Sequence, residues 1–278
     1  MNQLPLAAGP AAALTSTFLP CRATLRTLRR ANPVLWLTGW LCLGLALPLA
    51  AGLLLDSRRV TGAPVWAKPL KFTLSIAAYT WTLGWLLRSL PPAAQRSVHQ
   101  LSAGAALSMV IEQVLITVQA GRGTTSHYNE STPLNARILA VMGVFVVVVT
   151  LMNLWACCLV WRYRPGGPAS YAWGIRWGLS LFTLGTLVGG AMGRLGRHTV
   201  GAPDGGPGLP LLGWSTRAGD LRIAHFVGIH ALQALPLLGW SLRHRQPRWA
   251  ALLTSAGALA YAALMSVLLK RALHKLPL

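Results

Sequence analysis

Residues 97–120 read SVHQLSAGAALSMVIEQVLITVQA, a run long enough to cross a bilayer as one helix and interrupted by a single carboxylate, Glu112. A hydrocarbon core about 30 Å thick requires roughly 20 apolar residues per helix. An ionisable group at that depth is costly, and its default reading is a functional site. The chain holds only five acidic residues, and the other four (Asp56, Glu130, Asp204 and Asp220) fall between apolar runs.

Comparable runs flank this one at about 33–55, 70–90, 137–161, 171–192, 221–242 and 249–269. They are too long for strands and lack the period-two alternation of a membrane barrel. The expected fold is all-α, a polytopic membrane helix bundle of about seven transmembrane helices over residues 33–278, preceded at 1–32 by a tail with a basic interfacial segment. The composition agrees: 54% of the 278 residues are hydrophobic and 11% are charged, against about 25% charged in ordinary soluble domains.

A net charge of +20 suggests nucleic acid in a soluble protein. No RNP, zinc-finger or helix-turn-helix pattern accompanies it. In a membrane protein, Lys and Arg mark loop ends and meet anionic headgroups. The lipid bilayer is therefore the expected partner, and nucleic acid is not. The N-terminus lacks a secretory pattern, because Arg22, Arg26, Arg29 and Arg30 follow its apolar stretch and no basic residue precedes it. The cysteines Cys21, Cys42, Cys157 and Cys158 form no CxxC motif and read as packing residues.

With seven spans, the loops near 56–69, 121–136 and 193–220 share a side with the C-terminus. The loops near 91–96, 162–170 and 243–248 share the other with the N-terminus. Total basic charge does not separate the sides, but the short RYR and RHRQPR loops are dense in arginine. Short-loop charge sets orientation, so the expectation is a bacterial inner (cytoplasmic) membrane protein with a cytoplasmic N-terminus. The three longer loops carry the least linker-like sequences: VWAKPLK at 65–71, GRGTTSHYNESTP at 121–133 and HTVGAPDGGPGLPLLGWSTRAGDLR at 198–222. The last is too long for a turn, and its Gly-Pro punctuation with Trp214 favours an ordered cap.

Ser108, Glu112 and Gln119 fall within about a 40° arc of the third span. Three roles are open for Glu112: a structural carboxylate, a proton carrier, or a partner to a bound cation. Gln119, Arg122, His127 and Asn129 continue the polar surface upward. The sixth span opens at Asp220, a good N-cap, and presents Arg222, His225, His230 and Gln233, read as one inward face. His225 and His230 are five apart, whereas zinc hydrolases place histidines at i and i+4. With His198 they are candidate haem or metal ligands, for haem b or a transition metal. Covalent haem attachment is excluded by the lack of CxxCH. In the fifth span, Gly185, Gly189 and Gly193 form overlapping GxxxG patterns. Close helix packing is one reading, and a homo-oligomer through this face is another. Lys68 and Lys71 read as snorkelling residues that could also receive an anion.

With Lys68-Pro69-Leu70-Lys71-Phe72, Gln119-Ala120-Gly121-Arg122-Gly123, Ser126-His127-Tyr128-Asn129 and the run from His198 to Gln233 in view, most of residues 65–240 resembles an uncharacterised family of bacterial multi-pass membrane proteins. That resemblance implies one membrane domain and no particular chemistry. Similarity to seven-helix membrane hydrolases fails on the absent HxxxH. The functional expectation is an integral membrane protein with a buried His/Glu/Gln/Arg site, read first as a haem- or metal-binding redox protein and alternatively as a small-solute or proton-coupled transporter. Whether it is an enzyme stays open.

Overall fold

A computed structural model describes residues 26–210 and 212–277. The expected flexible tail, with Cys21 and Arg22, lies outside the described residues. Arg26, Arg29 and Arg30 fall in a short helical stretch at 26–31. All seven apolar runs are helices: α1 Pro33–Leu55, α2 Ala67–Leu87, α3 Gln95–Gly121, α4 Pro133–Arg162, α5 Ala169–Leu195, α6 Leu221–Ser241 and α7 Pro247–Leu273. The all-α expectation therefore holds. Five are long and apolar enough to cross a membrane: α1, α3 with its 3-10 lead-in (Pro92–Gly121), α4, α6 and α7. In α2 and α5, Trp, Tyr, Ser, Thr, Gly and basic residues dilute the apolar content.

The helix starts follow local capping chemistry. Asn32 Oδ1 accepts from Leu35 N at 3.2 Å at the head of α1, and its Nδ2 donates across to Ser102 Oγ of α3 at 2.7 Å. Thr132 Oγ1 caps α4 through Asn135 N at 3.2 Å, with Pro133 at the first helical position. Asp220 caps α6 by accepting from Arg222 N at 3.0 Å, as expected from its placement.

The tightest pairing joins α5 to α6. A β-carbon at Gly185 would lie 2.7 Å from the Gly228 backbone, and one at Gly174 2.4 Å from Leu235 O. Only glycine lets these two helices meet backbone to backbone. Within the chain, α6 is the neighbour of most of this glycine face. Gly185 is covered by Gly228 and Gly189 by the His225 ring, so α6 already occupies the surface; Gly193 alone is open.

The main apolar core is lopsided. Leu35, Leu83, Leu87, Leu101, Ala156, Ile175, Leu179 and Leu232 are all buried, and all lie in the half of the bundle nearer the short loops. The half nearer the long loops holds a smaller apolar cluster of Val188, Met192, Leu221, Met265 and Ala272 and also buries Thr73, Glu112, Gln113, Gln119 and Asn135. The long loops converge there. Arg58 forks onto Asp56 at 2.7 Å and donates to Gly121 O at 3.0 Å, tying the α1–α2 loop to the end of α3. Trp66 Nε1 donates to the same Asp56 at 2.8 Å. The arginine fork, a backbone donor and the tryptophan hold the Asp56 carboxyl well below the usual carboxylate range.

The 196–220 segment is ordered as a cap. Thr199–Val200 pairs antiparallel with Gly219–Asp220, and Gly208 bridges to Ser215. Gly196, in the left-handed region at φ +63°, ends α5 and turns the chain into it. The C-terminal end abuts this cap. β-Carbons at Gly219 and Gly201 would meet Ala272 O at 2.0 Å and the Lys275 side chain at 2.9 Å.

Candidate functional site

Most of the residues expected to form one polar site fall into three groups on the long-loop half of the bundle; His225, His230 and Gln233 of α6 stand apart from them. The first is a closed network at the α3–α4 junction. Arg122 Nη1 donates to Gln119 Oε1 and, at 2.8 Å, to Asn135 Oδ1. Gln119 Nε2 donates to the same Asn135 oxygen at 3.2 Å, and Asn135 Nδ2 donates to Ser131 Oγ at 3.0 Å. Asn129 Nδ2 donates to Thr124 Oγ1 at 2.8 Å and Thr125 O at 2.9 Å. Gln119, Arg122 and Asn129 thus satisfy one another and their loop. Their role is to fix the 122–132 turn. Asn135, which anchors the network, carries no motif that separates it from an ordinary first-turn asparagine.

The second group surrounds Glu112. This carboxylate is 3% exposed and lies nine residues, about 13 Å, below the C-terminal end of α3. Its Oε1 has no hydrogen-bond partner among the described residues. Thr73 Oγ1 of α2 and Gln113 Oε1 of α3 are likewise buried and unpartnered among the described residues. Gln113 Nε2 reaches Pro69 O at 3.3 Å and Thr117 Oγ1 at 3.1 Å. Ser108, on the same stripe, is buried but donates to Gly104 O of its own helix at 2.8 Å.

The charge facing Glu112 comes from Lys68, whose ammonium lies within electrostatic range of the carboxylate. Lys68 Nζ also donates to His127 Nδ1 at 3.1 Å, and Ser126 Oγ approaches the same nitrogen at 3.1 Å. The imidazole packs against Phe72 with ring centroids 6.0 Å apart. Burial, then the Lys68 charge, pushes His127 down to about 3. The ring is therefore neutral; with Nδ1 accepting from an ammonium, its proton sits on Nε2. Glu112, Lys68, His127 and Ser126 thus link the buried carboxylate of α3 to the underside of the 122–132 loop. Lys68 is the member sequence reading underrated. Its signal was its place in the first turn of α2, on the same side of the bundle as the 121–136 loop.

The third group belongs to the cap. Arg222 grips Asp220 with Nη2–Oδ2 at 2.6 Å, and Asp220 is 1% exposed. His198 pairs with Asp204 at 3.0 Å. Burial first and the Arg222 charge second hold His198 below its ordinary value. Tyr128 is raised by burial and by the Asp204 carboxylate, which places its loop against the cap. Lys68, Lys71 and Arg222 all act on one another electrostatically, so this end of the bundle gathers cations around the mouth of the Glu112 site.

The candidate ligand histidines are not brought together. His225 Nδ1 donates to Gly185 O at 2.8 Å, and its ring lies against Gly189. His230 Nδ1 donates to Phe226 O at 2.8 Å, and the residue is exposed on the outer side of α6. Their 140° separation around the helix keeps them on different faces, which corrects the reading of a single inward polar face on α6. Among the described residues, no three His, Cys, Asp or Glu side chains form a group suited to a metal ion. Gln233 Nε2 reaches Thr82 Oγ1 of α2 at 3.2 Å.

Compared with protein-family models, with curated proteins and with solved structures, the chain matches none.

Proposed function

We propose that this chain is a seven-span integral membrane protein of a bacterial inner membrane, with a cytoplasmic N-terminus, that moves a small solute together with a proton. Glu112 is the proton-exchanging group, and Lys68 is its counter-charge. The observation that carries this reading is a buried carboxylate with an unpartnered oxygen, facing an ammonium that a neutral imidazole holds beneath the 121–132 loop. A carboxylate at this depth is tolerated in two forms, protonated or matched by a nearby cation. Movement of Lys68 between Glu112 and an incoming anionic solute switches between those forms. The cations Lys68, Lys71 and Arg222 at the mouth favour a solute with a carboxylate or phosphate group.

The redox reading required His198, His225 and His230 to converge on one group. Their separate partners give it less support than the Glu112 arrangement gives proton exchange.

The test is reconstitution into vesicles carrying a pH-sensitive dye, challenged with a panel of small carboxylates and inorganic phosphate. The expected result is solute-dependent proton movement in the native protein and none in Glu112→Gln, with both eluting as folded protein. Undiminished proton movement in Glu112→Gln overturns the reading.

A further inference from the structure

Arg176 stands within α5, seven residues and about 10 Å from the start of that helix at Ala169. An arginine at that depth in a membrane bundle is costly unless an anion meets it. Among the described residues, the carboxylates in ion pairs are Asp56, Asp204 and Asp220, held by Arg58, His198 and Arg222. None of them pairs with Arg176. The short-loop side, where α5 begins, carries no acidic residue at all.

The guanidinium is nonetheless held in place. Side chains on a helix lean toward its N-terminus, so Arg176 reaches back toward the short-loop surface. Its Nε donates to Val160 O, in the last turn of α4, at 2.9 Å. Its Cζ lies 5.5 Å from the Trp161 ring centre and 5.3 Å from that of Trp173. The aromatic frame is itself fixed. Trp161 meets Trp173 and Trp177 edge to face, with centroids 5.9 and 6.1 Å apart. Trp161 Nε1 donates to Ser180 Oγ at 3.0 Å, and Trp177 Nε1 donates to Ser255 Oγ of α7 at 3.2 Å.

These contacts use only part of the group. A guanidinium has five N–H donors, and the one engaged is on Nε; Nη1 and Nη2 meet no acceptor among the described residues. The ring contacts attract the cation but supply no counter-charge. Arg176 is half-buried and Trp161 is 44% exposed, so the free donors lie at the outer surface of α4 and α5. That surface faces lipid, since α4 is long and apolar enough to cross a membrane. Arg162 and Arg164, both exposed, follow within four residues of Val160 and add positive charge beside it.

We propose that Arg176 binds the phosphodiester of an anionic phospholipid in the short-loop leaflet, with Nη1 and Nη2 as the donors. The planar fork matches two phosphate oxygens, and Trp161 and Trp173 hold it in position. Tryptophans mark the depth at which lipid phosphate and glycerol lie, which favours a lipid over a free anion. Arg176 itself occupies the ring faces that a quaternary ammonium headgroup would use. Exposed Leu154, on the same face of α4 as Trp161, offers the acyl chain an apolar wall. The proposal goes beyond proton exchange at Glu112 and does not depend on it.

The experiment uses the full chain in detergent, mixed with phosphatidylglycerol or phosphatidylcholine and read by native mass spectrometry. The variants are Arg176→Gln and, as a control on another loop of the same side, Arg245→Gln. Size-exclusion profile and thermal midpoint without lipid verify folding. Phosphatidylglycerol should be retained preferentially. Arg176→Gln should lower its retention about fivefold or more, the worth of one basic residue near an anionic surface. Arg245→Gln should not, and excess inorganic phosphate should leave the lipid bound. In the native chain, phosphatidylglycerol with a photoreactive headgroup should crosslink within residues 160–177 in preference to 241–250, a readout that needs no variant. Equal retention of both lipids, unchanged retention in folded Arg176→Gln, an equal loss in Arg245→Gln, displacement by inorganic phosphate, or crosslinks spread evenly over the short loops would each overturn the proposal. Neither assay reads proton movement, so failure here leaves the Glu112 reading standing.

Discussion

Mild acid should loosen the 122–132 turn through His127. Burial and the Lys68 ammonium push this imidazole from its ordinary 6.5 to about 3. Between those values the opened loop binds a proton that the closed loop refuses. Stability therefore rises with pH across that window and falls on acidification, by at most about 1.4 kcal/mol per pH unit. Lowering the pH from about 6.5 to about 5 thus costs the closed turn about 1.7 kcal/mol, roughly a fifteenfold increase in its open fraction, because the opened imidazole is already half protonated at the start. The event is local, because the turn is anchored on Lys68 and on the Asn135 network and not on the apolar core. Amide hydrogen exchange of residues 124–130, corrected for the intrinsic pH dependence of exchange, measures it. The His127→Asn variant keeps an acceptor for Lys68 but cannot titrate, and its corrected protection should be flat over the same range. Equal protection of the native turn at both pH values, or an equal slope in the variant, refutes the reasoning.

Other outcomes follow from the same geometry. Gly185→Val places atoms where the Gly228 backbone already sits, 2.7 Å from a β-carbon; a loss of about 1–3 kcal/mol or more, read as a lowered thermal midpoint, is expected. Asn135→Leu removes the acceptor shared by Gln119 and Arg122; it should destabilise by about 1–3 kcal/mol while leaving proton exchange at Glu112 intact. Lys68→Met removes the donor to His127 and the cation nearest Glu112; it should destabilise by about 1–3 kcal/mol. The double variant with Glu112→Gln should recover much of that loss, and additive losses in the cycle would show that the two side chains are uncoupled.

The helices were legible because each apolar run is long and continuous, and nothing in hydrocarbon competes with intra-helical hydrogen bonding. The side shared by the long loops was legible from counting spans. The site was legible only in part. Glu112 stood out as a lone carboxylate, and its burial is as expected. Its partner Lys68 did not stand out, because a lysine at a helix start looks the same whether it snorkels to headgroups or folds inward against His127. Gln119, Arg122 and Asn129 share the right side of the membrane with Glu112, but side is not contact; Asn135 draws them into a separate network. The histidines of α6 read as one inward face, yet α5 approaches so closely at Gly185 that it captures His225 and leaves His230 outside. No periodicity in α6 alone carries that information. The glycines of α5 were read correctly as close-packing residues, and their partner proved to be α6 of the same chain.

The claim that Glu112 exchanges a proton is tested most directly by infrared spectroscopy of the purified protein titrated through neutral pH. The account predicts a protonated-carboxyl carbonyl band that disappears on deprotonation and is missing from the Glu112→Gln spectrum. Native and Glu112→Gln spectra that superimpose through the whole titration would contradict it.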